Sequence, residues 1–232
     1  MKKRPKNTEK SLNKQTGYSV YNAEFKKRKK QSKLPKIYPK LPDKKFDIIY
    51  ADPPWYYRGK LQFDKSSKSK EKMDLSKNIF ISSAIFKYPT LKKSELMKIP
   101  VYEIAKDDCL LFMWTTNPHL AQAIEVGKSW GFEYKTVAFV WDKMMHNPGH
   151  YTLSYCELCL LFKRGRIPKP RGARNVKQLI RSPRGKHSKK PIEVAHRIEK
   201  MFPSQERIEL FARKKLKGWS AWGLDMIEES SE

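Results

Sequence analysis

Residues 46–57 read FDIIYADPPWYY. The short apolar run, with Asp47–Ala51 at its centre, has the composition and length of a buried strand. It stops at an acid, two consecutive prolines and three aromatics. Each proline lacks an N–H, so Asp52-Pro53-Pro54-Trp55 presents a carboxylate and several carbonyls on a stiff backbone while withholding two donors. Such an acceptor cluster beside an aromatic face suits a planar group carrying two N–H donors, as the amino groups of adenine and cytosine do. Two acceptors holding those hydrogens favour a geometry in which the nitrogen lone pair leaves the ring plane and points at an electrophile. That is catalysis by positioning and electrostatics. The same tetrapeptide also reads as a strand-ending turn with Trp55 in the core.

Working outward, strand and helix patterns alternate. Cys109–Thr116, Tyr134–Trp141, Tyr155–Phe162 and a final Arg207–Ala212 (RIELFA) read as strands. A short helix is expected over Thr90–Lys98. A better-marked one starts with Asn117 as cap and Pro118 at its first position, continues through Leu120, Ile124 and Val126, and ends at Gly131. Another helix opens near Pro191. Residues 56–87, rich in Lys and Ser, read as a long loop, a length that in compact domains usually marks function or mobility. Strands alternating with helices predict an α/β domain with a mostly parallel sheet. Ligands of such sheets bind outside the carboxyl ends of the strands, where the Asp52 motif emerges.

Composition narrows the partners. The chain has 232 residues, 39% of them hydrophobic, and a formal charge of +26, which points to a polyanion and to nucleic acid before membrane. Residues 1–45 hold 16 Lys/Arg against three acids, and residues 163–190 hold 12 with no acid. The first segment reads as a basic, flexible arm before a domain spanning 46–232. The second lies between folded elements and reads as a phosphate-contacting loop. No basic leader is followed by an apolar run, and no apolar stretch reaches membrane-spanning length, so a cytoplasmic protein is expected. Three cysteines, 109, 156 and 159, form no disulfide framework. Cys156 and Cys159 are formally a CxxC, but on a strand they project to opposite faces, and the five histidines have no ligand spacing. No metal is expected.

ADPPW after a strand resembles the catalytic motif of the methyltransferase-A-seventy family of adenine amino-methyltransferases. The likeness continues in order through YPTL (88–91), KIPVYEIAKDDCLLFMWTT (98–116), WGF (130–132), VWDK (140–143), CELCLLFKRG (156–165), RSPRGKHSKKP (181–191) and RIELFARKKLKGWSAWG (207–223). It implies a Rossmann-like methyltransferase fold in permuted order, with the catalytic strand early and the cofactor strand last. It implies S-adenosylmethionine as methyl donor. By position, Asp52, Lys190, Glu209, Phe211, Arg213 and Asp225 would contact that donor. Asp52, Pro53, Pro54 and Trp55 would form the catalytic loop, and Trp55 by stacking, Tyr88 and Glu157 would bind the base. Lys215, Leu216 and Leu224 stand where the eukaryotic RNA enzyme of the family carries His, Asn and Asn, so donor contacts are not copied residue for residue. Ile37 and Tyr38 fill the place of the family's acidic stretch before the first strand.

The implied reaction is N6-methylation of adenine in DNA, by a small bacterial or phage-type member. RNA adenosine is the alternative substrate, and an inactive nucleic-acid-binding partner subunit the alternative role. The intact Asp52 motif argues against an inactive subunit. Small size without an added RNA-binding module favours DNA, by analogy alone. The resemblance also implies pairing with a like or related subunit.

Overall fold

The structure, a computed structural model, describes residues 38–56, 62–63, 79–80, 90–147, 151–185 and 189–224. β1 (Phe46–Ala51) forms where FDIIYA predicts it, with every residue but Asp47 buried. The chain divides into two compact units. In one, residues 1–37 and 56–90, the strands β2 (Gln62–Phe63) and β3 (Ile79–Phe80) pair antiparallel within the stretch expected to be loop. The other, Tyr38–Trp55 with Leu91–Glu232, carries β1 and all remaining elements. These are α1 (Lys93–Leu96), β4 (Ala105–Thr115), α2 (Leu120–Ser129), β5 (Glu133–Asn147), β6 (Ser154–Arg164), β7 (Leu179–Arg181), α3 (Ile192–Met201), β8 (Arg207–Leu210) and β9 (Ser220–Trp222).

Seven strands form one sheet in the order β7-β5-β6-β4-β1-β8-β9. β1 is parallel to both β4 and β8, and only β6 runs against its neighbours. The expected mostly parallel α/β sheet is therefore present. Six strands end on one edge, and the antiparallel β6 begins there.

The central strand explains the layering. From Cys109 to Thr115 every residue of β4 is buried, because a strand covered on both faces needs a continuous apolar run rather than alternation. Leu110, Phe112 and Trp114 share one cluster with Val194, Ala195 and Ile198 of α3. Phe162, paired with Leu111, therefore lies on the opposite face. There α2 approaches so closely that a Cβ on Gly127 would sit 2.3 Å from the Phe162 ring. Glycine at that position is a packing requirement, despite costing a helix about 1 kcal/mol relative to alanine.

Several boundaries shift for identifiable reasons. Asn117–His119 form a 3-10 turn, so α2 begins at Leu120 and the residue preceding the turn is Thr116, not the expected Asn117 cap. Gly131, at φ +86°, ends the helix region as its sequence position predicts. RIELFA is not the last strand: β9 follows and pairs parallel with β8. β9 and β7 are three residues each, too short to show a period, and β7 buries only Ile180, between exposed Leu179 and Arg181. Residues 38–45 also belong to the fold rather than to a free arm. Tyr38 stacks on Trp222 at 5.0 Å, Trp222 Nε1 donates to the Pro39 carbonyl at 3.0 Å, and Lys44 pairs with Glu206 at 2.7 Å. The preceding arm lies outside the described residues. No described helix is long and apolar enough to cross a membrane.

Candidate active site

Asp52 leaves the carboxyl end of β1, between the ends of β4 and β8, with its N–H aimed at the Leu210 carbonyl at 3.4 Å. The prolines then hold a closed turn. Trp55 N–H donates to the Pro53 carbonyl at 2.9 Å, and Leu91 N–H donates to the Pro54 carbonyl at 2.8 Å. A carbonyl has two lone pairs, so Pro53 keeps one acceptor site beside the Asp52 carboxylate. The Trp55 indole N–H reaches back to the Trp114 carbonyl at 3.1 Å. His119 stacks on the Trp55 ring at 5.6 Å with an interplanar angle of 22°, and only 6% of Trp55 is exposed. Trp55, expected to stack on the base, has one face covered by His119, and its side chain braces the loop from within.

A chain of alternating charges runs from Asp52 across the sheet edge. Lys190, two residues before the start of α3, places Nζ 2.8 Å and 2.9 Å from the two Asp52 carboxylate oxygens. The same Nζ lies 3.3 Å from Glu157 Oε2 and 5.6 Å from the Trp114 ring centre. Glu157 is near the start of β6, one residue beyond the Leu158–Thr115 pair, so its carboxylate clears the end of β4. Its other oxygen is 3.5 Å from Nζ of Lys143, a lysine only 2% exposed. Lysine is almost never this buried without a charge partner. Lys143 was not singled out in the sequence, and its burial is the signal that β5 bends it inward. The structure thus brings together Asp52, Lys190 and Glu157, three residues 105 and 33 positions apart.

A second cluster borders β8. Phe211 adopts φ +61°, a left-handed conformation that is rare for a bulky residue and marks a locally constrained turn. A Cβ on Gly223 would sit 2.2 Å from the Ala212 carbonyl, so the two segments touch backbone to backbone. Tyr38 meets the Phe211 ring edge-on at 5.6 Å, and Trp222 meets it at 5.3 Å. Arg213 is exposed, as is Lys215, while Leu216 packs against the core cluster. Ile37, Tyr88 and Asp225 lie outside the described residues.

Glu209, on β8, has its carboxyl pushed up from 4.5 to about 7, by burial first and by the Asp52 charge second. An acid whose folded pKa is raised opposes folding once charged. Below pH 4.5 both folded and unfolded chains hold the proton, between 4.5 and 7 stability falls as pH rises, and above 7 the penalty is complete. Glu209→Gln is therefore expected to stabilise the protein at pH 8 relative to pH 4, by roughly 1–3 kcal/mol. Thermal melts at the two pH values check this, and equal shifts at both would refute it.

These residues fit the methyl donor that the fold calls for. A lysine at the sheet edge can hold a carboxylate, a half-buried acid on β8 can accept from hydroxyls, and the Phe211 ring follows that strand. Among the described residues no three His, Cys, Asp or Glu side chains are placed to hold a metal ion. Cys159 is fully buried, with its thiol pKa raised by that burial, and Cys156 is half-buried on the opposite face of β6.

A mostly parallel sheet with one antiparallel strand, an early acidic strand end and a late strand carrying a half-buried acid define a Rossmann-like methyltransferase of permuted strand order. The MT-A70 family profile matches residues 46–225. The chain belongs to the MT-A70 family. It is 57% identical over 220 residues to the Type II methyltransferase M.MunI of a Mycoplasma species, covering 95% of this chain and 94% of that one. It is 26% identical over 204 residues to the mouse N(6)-adenine-specific methyltransferase METTL4, covering 80% of this chain and 38% of that one. The human N(6)-adenosine-methyltransferase catalytic subunit METTL3 is 25% identical over 181 residues, 26% of its length.

Proposed function

We propose that this protein transfers the methyl group of S-adenosylmethionine to the exocyclic 6-amino group of adenine in DNA. One observation carries the reading: the Asp52 carboxylate and the remaining Pro53 lone pair stand together on a closed turn at the sheet edge, beside the Lys190 ammonium. When bound, S-adenosylmethionine supplies a methyl group on a positively charged sulfur. Asp52 and the Pro53 carbonyl accept the two amino hydrogens and turn the nitrogen lone pair towards that methyl. Positive charge would develop on the nitrogen as its bond to the methyl carbon formed and the carbon–sulfur bond broke, the sulfur leaving as a neutral thioether, and Asp52 is the anion that would stabilise that charge and accept the excess proton. Lys190 would hold the donor's carboxylate, with Glu209, Phe211 and Arg213 as further donor contacts; Asp225, assigned to the donor by resemblance alone, lies outside the described residues. Glu157 would face the base, Trp55 keeps the loop rigid, and Tyr88, assigned to the base by resemblance alone, lies outside the described residues. The Type II name of M.MunI and the adenine specificity in the name of METTL4 support the assignment. The basic segments 1–45 and 163–190 supply phosphate contacts.

The test is incubation with tritiated S-adenosylmethionine and matched duplex DNA, single-stranded DNA and RNA, followed by nucleoside analysis. Label in N6-methyladenine from DNA is the expected result. Label confined to RNA, to cytosine or to nothing at all would overturn it.

A further inference from the structure

β5 and β6 outrun the sheet that they belong to. β4 leaves β6 at Leu158, and β7 borders β5 only over Val140–Asp142. Beyond those points the described ladder continues between β5 and β6 alone, through Asp142–Cys156 and Asn147–Ser154. This two-stranded ribbon stands on the same edge as Asp52, because β5 is parallel to β1 in direction and β6 begins where β5 ends.

Its surface is unusual. Five of the ten large apolar side chains exposed among the described residues belong to it or adjoin it: Met144, Met145, Tyr151, Leu153 and Tyr155. Tyr151 is 101% exposed, as accessible as in an extended chain. The pairing explains why they point outward. Asp142 pairs with Cys156 and Asn147 with Ser154, so four residues of β5 oppose one of β6. A bulge of that size re-aims side chains: Lys143 turns in to Glu157, while Met144, at φ +55°, and Met145 turn out. Basic chain lies beside the base of the ribbon. Arg181 pairs with Asp142 at 3.5 Å with its side chain 72% exposed, exposed Arg184 follows, and the whole of 163–190 contains no acid.

We propose that this ribbon is the element that enters duplex DNA at the target adenine, with Tyr151 and Leu153 filling the space that the extruded base leaves. The proposal rests on adenine methylation in DNA as the activity. The Asp52 side chain is only 25% exposed and is held against Lys190, so a base must leave its stack to reach it. A two-stranded ribbon matches the width of a major groove. Apolar side chains that wedge between base steps offset the cost of unstacking. Charge selects this occupant over a second copy of the chain, since a second copy would bring its own acid-free segment against this one, whereas phosphates attract it.

The methylated site is first mapped on an unmodified plasmid treated with the wild-type protein; a plasmid left unmethylated would remove the activity itself, not the wedge. Two short duplexes then carry that site, one with the target adenine opposite thymine and one with it opposite an abasic position. Y151S/L153S is expected to lower kcat/KM by roughly 10- to 100-fold on the paired duplex and by less than about threefold on the abasic one, where little unpairing remains to be driven. Equal losses on both duplexes, or no loss on either, would overturn the proposal. Sedimentation of the same variant identifies the rival occupant: equal losses together with dissociation of a wild-type dimer would make the ribbon an interface between copies.

Discussion

Asp52→Ala is expected to lower kcat for methyl transfer by about 1,000-fold or more, the scale at which removing a positioned electrostatic partner of the transition state acts. The carboxylate is the charged member of the acceptor pair, and the Pro53 and Pro54 carbonyls, which already accept from Trp55 and Leu91, are neutral and cannot supply its charge. Asp52→Asn keeps an acceptor oxygen and loses the charge, so it should fall between wild type and alanine. Single-turnover rates with saturating donor and DNA measure both, while donor affinity by calorimetry monitors the site's integrity. Lys190 retains Glu157 as a partner in either variant, so the fold should survive. A rate for Asp52→Ala within tenfold of wild type would remove Asp52 from the mechanism.

Lys190→Met is expected to act on binding and on stability together. Its ammonium is shared by Asp52 and Glu157, and the side chain is 14% exposed. Removing one member of a buried ion pair typically costs about 3–5 kcal/mol. The rim of an active site admits water, and Glu157 keeps Lys143, so the expected loss is nearer 2 kcal/mol, at the lower end of what breaking a charged contact costs. Without the ammonium the donor's carboxylate also loses its counter-charge, and KM for S-adenosylmethionine should rise roughly 100-fold, the size of effect of a charge-assisted hydrogen-bonded pair. Lys190→Arg restores the charge but not the compact geometry, so it should recover most of the stability and only part of the affinity. Thermal melts and donor titrations separate the two effects. An unchanged KM for the donor in Lys190→Met would place Lys190 in the structure alone.

The sheet was legible where structure follows from local pattern. FDIIYA, CLLFMWTT, YKTVAFVW and YCELCLLF are apolar runs of strand length, and their strands stand where those runs do. Gly131 ends α2 because left-handed backbone favours glycine in any fold. β7 and β9 escaped notice because three residues carry no period, and their pairing is supplied entirely by neighbours distant in the chain. Tyr38 looked like arm because nothing near it in sequence announces Trp222.

The candidate site divides the same way. The composition of Asp52-Pro53-Pro54-Trp55, an acid and two missing donors after a strand, already specified a rigid acceptor turn, since proline chemistry is local. Long-range packing decided the rest. Lys190 meets Asp52 across 138 positions only because α3 returns the chain to the sheet edge. Lys143 is buried and Met144 exposed because a bulge, invisible in composition, turns adjacent residues opposite ways. One face of Trp55 is covered by His119, whose position is set by the turn before α2. The sequence by itself determined which chemical groups and which strands are available. Tertiary structure decided which of them share a charge, a face or solvent, because those relations depend on register and chain return rather than on neighbouring residues.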